Sequence, residues 1–352
     1  GWGSPAMVTV WTRSRMCHSD QVEVGERAPR RVIVIGGGIS GLCAAWFLRE
    51  RPDPPQVTVL EAAAEVGGKL RAGDLGGHAV DAGAESMLAR RPEAVDLARA
   101  VGLAAALEEP ATSAARVMVD GVLRDFPTGT VLGVPGDLRA LAASRVLTWR
   151  GLARAQAERA VPVSPSDTDV AVGRYVTARL GHEVTDRLVE PLLGGVYAGH
   201  ADQLSLQASM PAIAASRAQG ERLTTAAARI RATAGGTADG TAPFVGLSGG
   251  LFTLVQRLAA APGVDVRTRT IAREVTRRPD GSWQVVVGPV PAPERLVADA
   301  VVLALPAGPA ARLARGVSPA AAALLDVVDY ASVGLVALGY RRADVPASAL
   351  KG

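Results

Sequence analysis

The run Arg31-Val-Ile-Val-Ile-Gly-Gly-Gly-Ile-Ser-Gly41 constrains this chain more than any other stretch. Val32 to Ile35 read as a buried strand, followed by a tight glycine turn and the start of a helix. Gly36, Gly38 and Gly41 fit G-x-G-x-x-G. Gly36 allows the turn, Gly38 lets backbone approach a phosphate, and Gly41 lets the helix pack on the strand. The backbone from Gly36 through Gly37, Gly38, Ile39 and Ser40 to Gly41 would offer N–H groups and a positive dipole end to a pyrophosphate. Val57-Thr-Val-Leu-Glu61 reads as the second strand. Glu61 ends it where a carboxylate can accept from ribose hydroxyls. A lone glycine fingerprint also occurs as a structural turn. Here strand, helix and acid stand in the right order, and a dinucleotide is the expectation.

At 352 residues the chain is long enough for about two domains, and 48% of its residues are hydrophobic. Its 38 basic and 34 acidic residues nearly balance, a weak field for nucleic acid. Arg145, Arg150, Arg154 and Arg159 read as the solvated face of one amphipathic helix, since no aromatic residues interleave for base stacking. Only Lys69 and Lys351 are lysines, so 36 of the 38 basic residues are arginine. That makes Lys69, inside Gly67-Gly68-Lys69, stand out. The two cysteines form no C-x-x-C, and a reducing cytoplasm fits. Cys43 reads as a small packed side chain. The four histidines make no metal-ligating spacing. No apolar run reaches the roughly 18 residues of a membrane span.

Residues 1–30 read as a polar tail. Residues 31–90 open a parallel sheet with strand, helix and strand. Residues 91–240 are mostly helical in pattern, with helices expected over 91–103, 137–160, 171–180 and 182–188. An extended piece is expected over 123–134. The stretch 235–243 has linker composition. After it, a helix over 251–260 and strands over 264–267, 271–277, 283–287 and 298–305 return to β character. Leu247-Ser-Gly-Gly250 reads as a helix cap. The expected plan is therefore α/β and discontinuous. One Rossmann-like domain comes from 31–90 and 241–310, a mainly helical domain is inserted between them, and 311–352 begin a return segment.

Gly67 and Gly68 follow the ribose acid closely. A single nicotinamide-binding unit needs no second glycine pair there, whereas a flavin must run past close backbone. Val57 to Lys69, with Glu61, Ala62, Gly67, Gly68 and Lys69, resembles the signature of the flavin amine-oxidase superfamily. Two further runs are more specific. They are Val80-Asp-Ala-Gly83-Ala84-Glu85-Ser86 with Arg91, and Asp186 to Gly199 with Glu190-Pro-Leu-Leu-Gly-Gly-Val-Tyr197. They resemble the oxygen-dependent protoporphyrinogen and coproporphyrinogen III oxidases of haem biosynthesis, in their soluble bacterial form. The resemblance covers roughly residues 31–350.

The resemblance implies a GR2-type flavoprotein holding FAD. It implies that Gly83, Ala84, Glu85 and Ser86 pass beside the flavin and that backbone at Ala272 meets the adenine. It implies hydride removal from a porphyrinogen in three two-electron steps, with oxygen as acceptor and hydrogen peroxide as product, and hand-off of the product to ferrochelatase. The hard chemistry then belongs to the cofactor, and no catalytic side chain is assigned. Propionates on an apolar disc want arginine at the rim. By family position Arg91 is the propionate candidate, and Tyr197 the second substrate residue. Arg91 can equally be a solvated residue at a helix start, and Glu190 to Tyr197 a plain helix end and turn. Coproporphyrinogen III is preferred over protoporphyrinogen IX. Another amine oxidase or desaturase, and a non-catalytic FAD-binding fragment, stay open. Family members close over the flavin with a later strand, glycine turn and helix. That segment is not seen before Gly352, so a C-terminally truncated chain is expected.

Overall fold

The computed structural model describes residues 30–89, 91–111, 114–233 and 244–345. Residues 1–29 of the expected tail, the expected 235–243 linker and the final Leu350-Lys-Gly352 lie outside the described residues.

β1 (Arg31–Ile35), α1 (Ile39–Arg49) and β2 (Gln56–Leu60) form the expected opening unit. β1 pairs in parallel with β2 on one side and with Ala300–Leu303 on the other, and Val264–Arg267 adds outside β2. Alternation along β1 explains why its apolar run is unbroken. Val32 and Val34 face a cluster holding Leu42 and Ala45 of α1 and Val255 and Leu258. Ile33 and Ile35 face the opposite cluster with Leu60, Val275, Val285 and Val287. The last three belong to an antiparallel meander of Ala272–Arg277, Trp283–Val287 and Glu294–Ala298. The strand expected over 298–305 is in fact two. The chain leaves the meander at Ala298, turns at Asp299, and enters the parallel sheet at Ala300. Asp299 fixes the corner: its carboxylate accepts from the Arg31 N–H (2.7 Å), and its own N–H donates to the Arg31 carbonyl (2.8 Å).

The helical insert has its own core, with Val134, Leu141, Val176, Leu188, Leu206 and Leu223 among its buried residues. The helix Pro92–Ala100 does not belong to that core. Its Val95, Leu97 and Ala98 pack in the cluster of Val32 and Val34.

The single helix expected over 137–160 is broken. Asp137 caps Leu138–Ser144, and Arg145 ends that helix in the left-handed region (φ 54°). Thr148 then caps Trp149–Gln156 by accepting from the Gly151 N–H. The arginines accordingly do not form one solvated stripe. Arg154 donates to the carbonyls of Ala178 (2.7 Å) and Arg179 (2.9 Å), at the end of the helix Val172–Leu180.

Glu190 to Tyr197, open in the sequence to reading as a helix end and turn, are helical throughout. His182 to Tyr197 run on through a π turn at Thr185–Val189, which ends two residues before Pro191. Proline lacks the N–H for regular α spacing and its ring crowds the preceding carbonyls, so a wider turn there relieves both. Ala198 ends the helix at φ 53°, its N–H donating to the Gly194 carbonyl. Among the described residues, no helix is long and apolar enough to cross a membrane.

Candidate cofactor site

The site lies at the C-terminal edge of the parallel sheet, where open α/β sheets bind ligands. Three glycine-bearing segments are laced together there by backbone. The first is the turn from Gly36 to Gly41. Gly36 has φ 112°, and a Cβ on it would collide with the Ala304 carbonyl; one on Gly41 would collide with the Gly36 carbonyl. Both positions are closed to any side chain. Gly38 differs. Its backbone is extended (φ −75°, ψ 178°), and the nearest atom a Cβ would meet is Gly68 Cα at 3.9 Å. The second segment carries Gly67 (φ 120°) and Gly68 (φ 60°). Gly67 N–H donates to the Gly37 carbonyl at 2.8 Å, and a Cβ on Gly68 would lie 3.2 Å from Gly38 Cα. The third segment passes Lys69: the Ala84 N–H donates to the Lys69 carbonyl (3.2 Å), and a Cβ on Gly83 would collide with the same oxygen. Glu85 and Ser86 continue from it, exposed.

α1 begins at Ile39 with Ser40 exposed, and it carries neither a side-chain cap nor an acidic residue in its first turn. An uncapped helix start leaves N–H donors and a positive dipole end for an anion. Glu61 braces the turn. One carboxylate oxygen accepts from the Gly37 N–H (2.8 Å) and the other from the Ala63 N–H (2.7 Å), and each oxygen keeps acceptor capacity for a ribose hydroxyl. Ala62 beside it is exposed. The loop before the meander is tied to the same place, with Thr270 N–H donating to the Glu61 carbonyl and Arg269 N–H to the Ala63 carbonyl (both 2.8 Å). Ala272 opens the next strand two residues later, opposite Val287. A cavity of about 780 Å³ borders Glu61, Val66, Gly68, Leu70, Phe252 and Val255. That falls within the usual range for cofactor sites.

These features fit FAD. The open face of Gly38 opposite Gly68, above an uncapped helix start, suits a pyrophosphate, and Glu61 suits the ribose. Lys69 supplies a cation; among the described residues it pairs with no carboxylate.

A further residue supports the site without any assignment from the sequence. Asp81 accepts from the N–H groups of Leu251 (2.9 Å) and Phe252 (3.2 Å), capping the helix Phe252–Ala259 that walls the cavity. The cap expected from Ser248 is thus made by a distant aspartate. Cys43 on α1 is partly buried, and burial pushes its thiol up to about 11. At neutral pH it is an unreactive thiol.

The residues expected at the substrate are not joined to the cradle. Arg91 is exposed at the start of Pro92–Ala100, its N–H donating to the Leu88 carbonyl. Tyr197 is 42% exposed, and its hydroxyl donates to the Ser209 carbonyl (3.3 Å). Among the described residues neither makes a hydrogen bond or ion pair to the glycine segments. Nearby, Cβ atoms on Gly194 and Gly195 would meet nothing within 4 Å. Glu190 pins the loop beyond, accepting from the Ala201 N–H (2.7 Å) and pairing with His200 (2.9 Å).

Residues 39–351 match the family described as flavin containing amine oxidoreductase. The chain belongs to this family. Among curated relatives, the coproporphyrinogen III oxidase of Mycobacterium bovis is 35% identical over 319 residues, covering 88% of this chain and 66% of the relative. The coproporphyrinogen III oxidase of Bacillus subtilis is 33% identical over 236 residues, covering 65% of this chain and 50% of the relative. Among solved structures, a protein from Exiguobacterium sp. 255-15 assigned as a protoporphyrinogen oxidase superposes with a TM-score of 0.68 at 30% identity, covering 81% of this chain and 61% of that one. The chain therefore spans from half to about two thirds of the length of these relatives. Its cofactor is FAD, as the family and the cradle together require.

Proposed function

We propose that this chain is the FAD-holding and substrate-binding part of an oxygen-dependent coproporphyrinogen III oxidase of haem biosynthesis. The observation that carries the reading is the three-segment glycine cradle, present in a chain 33% and 35% identical to two enzymes of that name. When bound, FAD supplies the two-electron oxidation, with molecular oxygen as the final acceptor and hydrogen peroxide as product.

The chain's own residues bind and orient. Gly36 and Gly41 fix the turn, Gly38 and Gly68 leave room for the pyrophosphate, and Glu61 holds the ribose while bracing the turn. Ala62 and the backbone at Ala272 flank the adenine, and Gly83 to Ser86 pass beside the ring. Arg91 meets a substrate propionate, a role its exposure and its freedom from a carboxylate partner support. Tyr197 and the open Gly194-Gly195 face line the apolar slot. The protein works in the cytoplasm, and its product passes to ferrochelatase.

The test is direct assay of the FAD-loaded protein on coproporphyrinogen III and protoporphyrinogen IX, followed by porphyrin fluorescence. Faster turnover of coproporphyrinogen III with stoichiometric peroxide is expected. Full FAD occupancy with no turnover of either substrate would sink the proposal. Preference for protoporphyrinogen IX would move the assignment to that substrate.

A further inference from the structure

Tyr330 touches two sides of the cofactor site at once. Its hydroxyl accepts from the Ala307 N–H at 2.9 Å. Ala307 is the first residue of the helix Ala307–Ala314, which has no side-chain cap of its own. That helix starts directly beyond the strand beside β1. Ala304, three residues earlier, is the residue whose carbonyl leaves no space for a Cβ on Gly36. The Tyr330 hydroxyl is therefore anchored next to the glycine turn. The other end of the contact is Lys69, whose Nζ lies 5.7 Å from the centre of the Tyr330 ring. Lys69 follows Gly68, which faces Gly38.

A cation within about 6 Å of an aromatic face is attracted to it. Lysine carries four rotatable bonds, and without a partner its ammonium samples a wide volume. The contact narrows that volume. It also leaves the charge unneutralised, because a ring attracts a cation without cancelling it, whereas a carboxylate would. Among the described residues the Lys69 ammonium has no carboxylate partner, although the chain pairs many of its arginines with acids. A held but uncancelled cation beside the side-chain-free backbone of Gly38 and Gly68 suits an anionic ligand.

We infer that Tyr330 is a positioning residue of the cofactor site, its ring holding the Lys69 ammonium in place for the phosphates of FAD. The inference rests on the assignment of FAD to the cradle. Tyr330 carries no part of the expected fingerprint; it lies some 260 residues along the chain from Lys69 and reaches it through the fold alone.

The experiment is titration of the protein with FAD, read by flavin fluorescence at low and at physiological ionic strength. Tyr330→Leu removes the ring and should weaken FAD binding about 2- to 5-fold, the size of an exposed cation–π contact. It should also flatten the salt dependence, since a freely moving ammonium couples less to the phosphates. Tyr330→Phe keeps the ring but loses its tie to the Ala307 N–H, so it should retain most of the affinity and of the salt slope and fall between wild type and Tyr330→Leu. Lys69→Met should lose the same salt-dependent part, and the Lys69→Met/Tyr330→Leu double variant should bind no worse than Lys69→Met alone. Tyr330 is 55% exposed, so the leucine variant should fold, which the thermal midpoint of the FAD-free protein checks. Equal affinity and equal salt slope in wild type and Tyr330→Leu would overturn the inference. So would additive losses in the double variant, because the ring would then act independently of Lys69. A wild-type chain that binds no FAD would overturn the cofactor assignment and this inference together, and that result precedes any variant.

Discussion

Gly38 and Gly68 lie side by side at the cofactor site: a Cβ on Gly38 would meet only Gly68 Cα, at 3.9 Å. This separates Gly38 from Gly36 and Gly41, which are glycine because backbone crowds them. Gly38→Ala should therefore fold with unchanged stability, since its extended backbone accepts any residue. It should weaken FAD about 10- to 100-fold, because the methyl group occupies space the phosphates need. Gly36→Ala should instead destabilise the FAD-free protein by about 1–3 kcal/mol or more, from positive φ and collision with Ala304. Thermal unfolding and FAD titration on the two variants check both halves. Equal loss of stability in both would show that Gly38 is a structural glycine too.

Glu61 has two tasks, bracing the turn and holding the ribose, and both fall on the ADP half of the cofactor. Glu61→Ala leaves the Gly37 N–H without its acceptor and removes the ribose acceptor. Losing hydrogen bonds to a charged group at about 1.5–3 kcal/mol each should weaken FAD on the order of 10- to 100-fold. ADP carries the ribose and pyrophosphate without the flavin ring, so it should lose affinity in parallel. Competition of ADP against FAD measures this. Undiminished ADP binding by Glu61→Ala would remove the ribose role.

Asp81 joins the hairpin of Ala72–Leu75 and His78–Asp81 to the helix that walls the cavity. Asp81→Ala should cost about 0.5–2 kcal/mol as a lost cap. Hydrogen exchange should rise first at Leu251 and Phe252, whose N–H groups lose their acceptor. Protection at those two amides equal to wild type would show that the cap is not made in solution.

The sequence was legible where one residue type meets one local need. The turn from Gly36 to Gly41, the strand at Glu61 and the strands at Val264–Arg267 and Trp283–Val287 follow from glycine geometry and apolar alternation. It was less legible where a single polar residue interrupts a favourable pattern. Asp299 splits an apolar run into two strands, and Thr148 restarts a helix inside an alanine-rich stretch. Asp120-Gly121 at φ 51° and 77° and Gly76-Gly77 at φ 62° and 84° make tight hairpin turns of the kind such pairs favour, yet neither hairpin stood out from alternation alone. Of the site, the segments that carry backbone toward the ligand were readable. Asp81 and Tyr330 were not, because each acts on a partner far along the chain and its role exists only after folding.

A buried charge pair in the insert makes a prediction that pH can test. Glu158 is fully buried and Arg179 nearly so. Arg179 donates through Nε (3.2 Å) and Nη2 (2.7 Å) to one oxygen of Glu158, which also accepts from the Leu223 N–H. The other oxygen accepts from Thr224 Oγ1, and Arg179 Nη1 donates to the Pro162 carbonyl (both 2.7 Å). Burial alone would raise the Glu158 carboxyl, but the bonds from Arg179, Thr224 and Leu223 outweigh it and hold it below its ordinary value. A carboxyl lowered in the folded state contributes stability above its unfolded value of about 4.3, and loses it as pH falls through the lower folded value. The insert should therefore weaken in acid below about pH 4. Glu158→Leu should cost about 3–5 kcal/mol, because Arg179 is left buried without its partner. The Glu158→Leu/Arg179→Met double variant should cost less than either single change, yet more than nothing, since Leu223, Thr224 and Pro162 lose their partners. It should also lose less stability than wild type between pH 5 and 3. Urea unfolding across that range measures both, and an unchanged acid slope in the double variant would remove Glu158 as its source.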